Sequence, residues 1–429
     1  MVTGKEEWHG IDLSKSDSFA HGIPFGYFAH LRQHDPLHWT VESQGRGFWS
    51  LTRHADIVQL NRDYRRLSSA QGIRIKDQSP EEVFARRNFH ESDPPDHTRQ
   101  RLIVSRAFSQ SKMLEYEQEL RGLTRSIIAQ AIDWQEFDLA EQIARHIPML
   151  AIGRILGLPA EDHEWLLTRA EQLFANGDPD HNEFVRDRGK DEPYRPYPFG
   201  LPAGIEVFDY SKLLLKKMAD QGESNSLLQQ ILMPDDNGNT ISEEEFRNFF
   251  CLIIVTANDT LRYTMAAMVL ALIERPELAQ LHREYLPHPD NPFWDSAVEE
   301  WVRYSTPNHY FRRTATRDFD LHGKTIRAGD KVVSWLSSAN YDDAVFVSPS
   351  VVNPLRSPNP HLAFGEGGPH NCLGAWLARL ELKLFLQEWV ARNGAIELTA
   401  EPEWVRSNFL NGIKRLPIRI LNPGYKSGI

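Results

Sequence analysis

Cysteine is nearly absent: the 429 residues contain two, Cys251 and Cys372. Two thiols so far apart exclude a disulfide-stapled scaffold and a zinc site built from cysteines. Long apolar runs are missing as well. The longest, residues 249–255 and 265–273, fall far short of the roughly 20 residues that span a bilayer. The opening MVTGKEEWHGIDLSKSDSF has no apolar stretch of the kind a secretory leader uses. There is no surplus of positive charge. Lys and Arg number 48 against 59 Asp and Glu, a net charge of −11, which argues against nucleic-acid binding by overall charge. Glycine and proline, 26 each, are at ordinary levels, so collagen-like and low-complexity readings fall away. What is there is 41% hydrophobic residues, ample for a packed core. These features predict a soluble, reduced, cytoplasmic protein with no membrane anchor.

Along the chain, Pro36-Leu-His-Trp39 and Gly47-Phe-Trp-Ser-Leu-Thr52, with a glycine-containing turn between them, predict a hairpin within a small β-rich region over residues 1–75. From about residue 96 to 157 apolar residues recur at three- and four-residue steps, as on a helix face. Residues 176–204 are rich in Pro, Gly and charge and lack any helical period, which predicts a lid or entrance loop, or a plain surface insertion. Residues 246–273 predict one long buried helix, hydrophobic nearly all round. Strands are expected over 317–333, and a long irregular stretch over 338–369 leads to a helix opening just after Cys372. No linker-like boundary separates these parts, so residues 1–429 are expected to form one mainly α domain.

Chemistry concentrates in Phe364-Gly-Glu-Gly-Gly-Pro-His-Asn-Cys372-Leu-Gly374. This glycine-rich turn delivers one cysteine to a helix N-terminus. There the dipole and free N–H groups favour thiolate over thiol. By itself the segment suits a nucleophile, a soft metal ligand or a buried structural cysteine. A second segment, Thr256-Ala-Asn-Asp-Thr-Leu-Arg262, sets an acid and an alcohol in the apolar helix. An ionisable group there needs a task or a partner. Asp259 and Thr260 diverge by about 100° on a helix, so they cannot face one spot. Two readings stand: a relay with Thr260 inward and Asp259 toward solvent, or a kinking Thr beside an Asp259–Arg262 ion pair. Thr260 can also bond back to the Thr256 carbonyl and loosen the helix.

The cysteine loop resembles the haem-binding loop of the cytochrome P450 family. The Asp259–Thr260 segment looks like that family's oxygen-activation helix, with Ala257 in place of the usual Gly and Leu261 in place of a common Thr. Three further segments fall in family order: Asp93–Arg101, Glu300-Trp-Val-Arg303, and Ser407–Pro417. Arg313 similarly matches a strand arginine. The resemblance therefore spans nearly the whole chain. It implies a mainly α (α+β) P450 fold and haem b held by Cys372 as axial thiolate. His97, Arg101, Arg313 and His370 would meet the haem propionates. Asp259 and Thr260 would manage protons, and Glu300 and Arg303 would be scaffold. Ala257, Asn308, His309, Phe409 and Leu410 would touch substrate. Asn308 and His309 replace the usual apolar residues, which points to a polar group on the substrate.

The implied reaction is insertion of one atom of O2 into a small-to-medium hydrophobic substrate, by hydroxylation or O-dealkylation. Phe364 and Cys372 are eight steps apart where many relatives have seven. That is similar to a bacterial subgroup acting on sterol side chains, terpenes and branched fatty acids. Nothing in the chain binds flavin or an iron–sulfur cluster. Electrons from NAD(P)H are therefore expected through a ferredoxin and its reductase, docking on a local basic face that includes Arg356 and Arg379. A monomer is expected. The alternatives are a sensor or carrier on the same fold, a peroxide-driven oxidase, and a hydrolase using Cys372 and His370. Cys251 is expected to be inert core.

Overall fold

The predicted hairpin is β1 (Leu37–Thr40) paired antiparallel with β2 (Phe48–Leu51). It is part of a larger sheet. β3 (Leu67–Ser68), β4 (Tyr310–Ala315) and β5 (Lys331–Trp335) complete five strands in the order β1-β2-β5-β4-β3. Only the β2–β5 pairing is parallel. The first 75 residues thus supply three strands, and residues 310–335 carry them into the rest of the chain. β5, Lys-Val-Val-Ser-Trp, is buried at every position, as a strand covered on both faces requires. The computed structural model describes residues 10–421 except 44, 86, 133, 175–177, 179–200, 222–225, 236–237, 366–367 and 393. Most of the predicted lid, residues 176–204, lies outside the described residues.

Helices make up most of the remainder. Those that position the site are α1 (Asp96–Ser105), α2 (His163–Phe174), α3 (Glu243–Thr256), α4 (Asp259–Glu274), α5 (Phe293–Ser305) and α6 (Ala375–Arg392). α3 starts cleanly. The Ser242 side chain caps the Glu245 N–H, Glu245 reaches back to the Ser242 N–H, and three glutamates in the first turn complement the helix dipole.

The one long helix predicted over 246–273 is in fact two, α3 and α4, separated by a turn at Ala257 and Asn258. The cause is local. Thr256 Oγ1 donates to the Leu252 carbonyl at 2.8 Å and Thr260 Oγ1 to the Thr256 carbonyl at 3.2 Å. Such back-bonding competes with the helical ladder. The break falls where the pair passes from one core cluster to another. Phe246–Val255 belong to the first cluster. Met265, Met268 and Val269 belong to the second, with Trp301 of α5 and Phe385 of α6. Cys251 is fully buried in the first cluster and burial pushes its thiol well up. Among the described residues, no helix is long and apolar enough to cross a membrane.

Candidate functional site

Residues 340–374 contain no helix or strand among the described residues, and they bring the cysteine loop to a large cavity. Two glycines shape the loop. Gly365 has φ +75°, and a Cβ on Gly368 would lie 2.3 Å from the Asn61 carbonyl oxygen. Gly368 is therefore needed for chain packing as much as for any ligand. Cys372 N–H donates to the Phe364 carbonyl at 2.8 Å and closes the turn, and α6 begins three residues later.

The cavity has a volume of about 740 Å3, well within the usual range for small-molecule sites. Cys372 is exposed, and it faces this cavity. Protein surrounds it otherwise, and burial pushes the thiol above its ordinary value despite the Gly374 N–H, Arg101 and Arg379. Without a bound ion, desolvation thus opposes the pull of the helix end on this thiol. A bound metal ion would reverse that balance, because coordinating thiols are deprotonated outright.

Opposite the loop, Thr256, Ala257 and Thr260 line the wall, all from the α3–α4 junction. Asp259 is 1% exposed and turned out of the wall. Its Oδ1 accepts from Asn258 Nδ2 at 3.4 Å, and its Oδ2 has no partner among the described residues. Burial raises its carboxyl to about 7, against the pull of Arg262. The alternative Asp259–Arg262 ion pair is not formed. Arg262 instead donates to Glu171 at 2.7 Å and Glu141 at 2.5 Å. Neither glutamate was suspected from sequence.

Cations gather at one end. Arg101 and Arg313 line the cavity, and neither meets a carboxylate within salt-bridge distance among the described residues. Burial lowers Arg313 to about 10, with only Asp93 opposing. His370 also lines the cavity. Its Nε2 meets Ser69 Oγ at 3.0 Å, and its Nδ1 is unpartnered among the described residues. His97 stands behind it, ring centroids 4.4 Å apart, and not in the wall. Both His97 nitrogens lack partners among the described residues, and burial holds the ring neutral, near 4. Arg74 and His90 complete this end and were missed. They come from segments without a family-like string around them.

The substrate-contact expectations divide. Ala257, Asn308 and Phe409 line the cavity. His309 does not. It is 1% exposed and packed on Phe19 at 4.3 Å, with its N–H bonded to the Phe409 carbonyl. Leu410 is also corrected to core, at 0% exposure. Strand-like alternation explains both, since neighbours in extended chain face opposite ways. Glu300 and Arg303 lie away from the cavity, joined by bonds of 2.8 and 2.9 Å. Of the expected basic docking pair, Arg356 is half-buried and donates to Glu300 at 2.9 Å, and Arg379, partly exposed, pairs with Glu299.

The family model for cytochrome P450 matches residues 211–392. The steroid C26-monooxygenase of Mycobacterium tuberculosis is 30% identical over 417 residues, covering 94% of this chain and 91% of the relative. The methyl-branched lipid omega-hydroxylase of the same species is 33% identical, covering 95% and 94%. Among solved structures, Mycobacterium marinum cytochrome P450 CYP268A2 in complex with pseudoionone superimposes with a TM-score of 0.81 at 29% identity, covering 92% and 94%. The chain belongs to the cytochrome P450 family, has the P450 fold, and is a bacterial P450 monooxygenase.

That family works with haem, O2 and an external electron source. The residues present fit such a group. Among the described residues no set of three His, Cys, Asp or Glu could hold a metal ion, so a lone thiol suits iron that arrives with its other donors. Un-neutralised Arg101 and Arg313, with the orphaned nitrogens of His97 and His370, match the two carboxylates that haem carries.

Proposed function

We infer that this enzyme oxidises a branched or polycyclic apolar molecule carrying one polar group, with Cys372 as the iron ligand. The observation that carries the reading is the convergence of three features on one apolar cavity: the Cys372 thiol, the un-neutralised Arg101–Arg313 pair and the Thr260 hydroxyl. Haem held by the Cys372 thiolate would supply the oxygen activation. Everything else falls to the chain. Arg101 and Arg313 neutralise the propionates, and His97 and His370 donate to them once partners for their nitrogens arrive. Thr260 holds its hydroxyl at the cavity wall through its bond to the Thr256 carbonyl. Asp259, behind that wall, carries the proton that Thr260 passes inward, a role that positioned acids fill with about 10²–10⁴ in rate.

Phe409 and Ala257 offer the apolar wall. Asn308 is the polar element, and its position is fixed on both sides: His309 N–H donates to the Phe409 carbonyl at 2.8 Å, and Asn411 N–H to the Pro307 carbonyl at 2.9 Å. A clamped amide reads a hydroxyl, carbonyl or carboxylate on the substrate. The substrates named for the relatives, a steroid and methyl-branched lipids, support this class. Electrons come from a ferredoxin and its reductase, and the protein works as a cytoplasmic monomer. The test is a spin-state titration of the holoprotein with sterols, branched fatty acids, terpenes and aromatic ethers. The reading expects the tightest responses from branched or steroidal ligands bearing an oxygen function. Equal or better responses from the parent hydrocarbons would contradict it.

A further inference from the structure

On α4, Asp259 and Arg262 stand three residues apart, a spacing at which acid and base share a helix face and pair. Both are buried, Asp259 to 1% and Arg262 to 0% exposure. They do not pair, because Arg262 is engaged from other elements. Its Nη1 donates to Glu171 of α2, and its Nη2 to Glu141 and, at 3.3 Å, to the Lys414 carbonyl. Glu141 stands in a single π-helical turn, Ala140–Ala144, a distortion that recurs at functional sites. Glu171 is gripped by Arg145 through bonds of 2.7 and 3.0 Å, and Arg145 also donates to the exposed Glu164 at 2.9 Å. A chain of alternating charge thus runs from Arg262 to the surface. Asp259, left out of it, keeps only the long contact to Asn258 among the described residues.

We propose that Glu171 and Glu141 act as rival counter-ions that hold Arg262 away from Asp259, so that Asp259 rests as a neutral, proton-loaded acid beside Thr260. The working step is a partner swap. As Asp259 gives its proton to Thr260, which passes its own hydroxyl proton into the cavity, Arg262 moves from Glu171 to the Asp259 carboxylate left behind. Glu171 stays a carboxylate, held by Arg145, and Arg262 is charged throughout. A proton taken up from the Glu171 side then reloads Asp259 and returns Arg262 to Glu171. Glu171 and Glu141 are positioning residues, and the proposal rests on the reading of Asp259 as the proton-handling acid.

The groups facing Asp259 are Arg262, Tyr263 and Asn258 from its own segment, Glu171 from α2 and Arg145 from the turn before residues 146–156. Glu141 acts through Arg262. Burial lifts Asp259 to about 7, Glu171 adds to that, and Arg262 and Arg145 oppose it.

The test is an infrared pH titration of the protonated carboxyl stretch of Asp259 in the resting holoprotein, assigned by its loss in Asp259→Asn. Wild type should titrate near about 7. Glu171→Gln frees Arg262 to pair, so the midpoint should move to acid by about 1–3 pH units. Glu141→Gln, at the solvent-touched end, should move it the same way by less, and it covers a Glu171→Gln protein that fails to fold. In an Arg262→Gln background, Glu171→Gln should lower the midpoint by clearly less, leaving only the direct effect of the lost negative charge. A shift of equal size there would mean simple loss of a negative charge and would overturn the swap. A wild-type midpoint in the ordinary carboxylate range would overturn it as well. If the band moves in Glu171→Gln while the pH profile of oxygen-driven turnover does not, the counter-ion arrangement stands and the role of Asp259 falls.

Discussion

Glu300 and Asp259 are both fully buried carboxyls on helices, yet they live under opposite rules. Glu300 accepts from Arg303 twice, from Arg356, from the Asn353 N–H and from the Asn359 amide. Arg303 spends its remaining donor on the Asn340 and Pro349 carbonyls, and Arg356 caps Val347 and Val351. The bonds from Arg356, Asn353 and Asn359 to Glu300, and from Arg303 to Asn340 and Pro349, tie α5 to the irregular stretch that presents the cysteine loop. Around the cavity the pattern is reversed. Asp259 Oδ2, His370 Nδ1, Asn308 Oδ1 and both His97 nitrogens lack partners among the described residues. Buried polar groups are ordinarily satisfied, and leaving them otherwise costs free energy. The saturated set is scaffold. The open set is waiting for a cofactor, a proton or a substrate.

The comparison breaks most directly by mutation. Glu300→Ala strands two buried guanidiniums and should cost about 3–5 kcal/mol in urea unfolding. His97→Phe, which removes an unpaired group, should leave apoprotein stability unchanged or raised while haem dissociates faster. Equal destabilisation by both would erase the distinction. Next in size, Thr260→Ala should lower oxygen-driven turnover by about 10²-fold, with peroxide-driven turnover intact. A parallel loss in both assays would remove Thr260 from proton delivery.

Asn308→Leu sharpens the contrast at the substrate end. Ligands bearing an oxygen function should bind about tenfold more weakly, a hydrogen bond's worth, and their parent hydrocarbons should be unaffected. A uniform change would make Asn308 mere wall. A pH-dependent effect completes the contrast. Asp259 has a folded pKa of about 7, above the unfolded carboxylate, so the folded state binds the extra proton between the two values. Its contribution to stability therefore falls as pH rises from the carboxylate range to about 7, then levels. Asp259→Asn should gain on wild type in thermal midpoint across that window and match it at low pH. A constant difference would deny the raised value.

Much of this was legible from residue order, and the failures share a cause. The hairpin, the cysteine loop, the α5 ion pair and the cavity placement of Thr260, Arg101, Arg313 and Asn308 all rest on local strings. The break in the long helix was missed because the back-bonding of Thr256 and Thr260 offsets an apolar pattern that looks continuous. His309 and Leu410 were expected in the pocket from the family resemblance, which places a segment and not the face each residue presents; extended chain turns them away from the side of Asn308 and Phe409. Arg356 looked like a surface cation because nothing in its own segment shows that Glu300, 56 residues earlier, claims it. Arg262 kept its acid neighbour on paper for the same reason: Glu171 and Glu141 reach it only through the fold.

The most direct measurement is the absorption of the reduced carbonyl adduct of the purified holoprotein, with Cys372→His as internal control. Wild type should show the long-wavelength band of thiolate-ligated haem, and the variant should move to the position of histidine-ligated pigments. A wild-type adduct already at the histidine position, or a variant indistinguishable from wild type, would contradict Cys372 as the iron ligand and the account built on it.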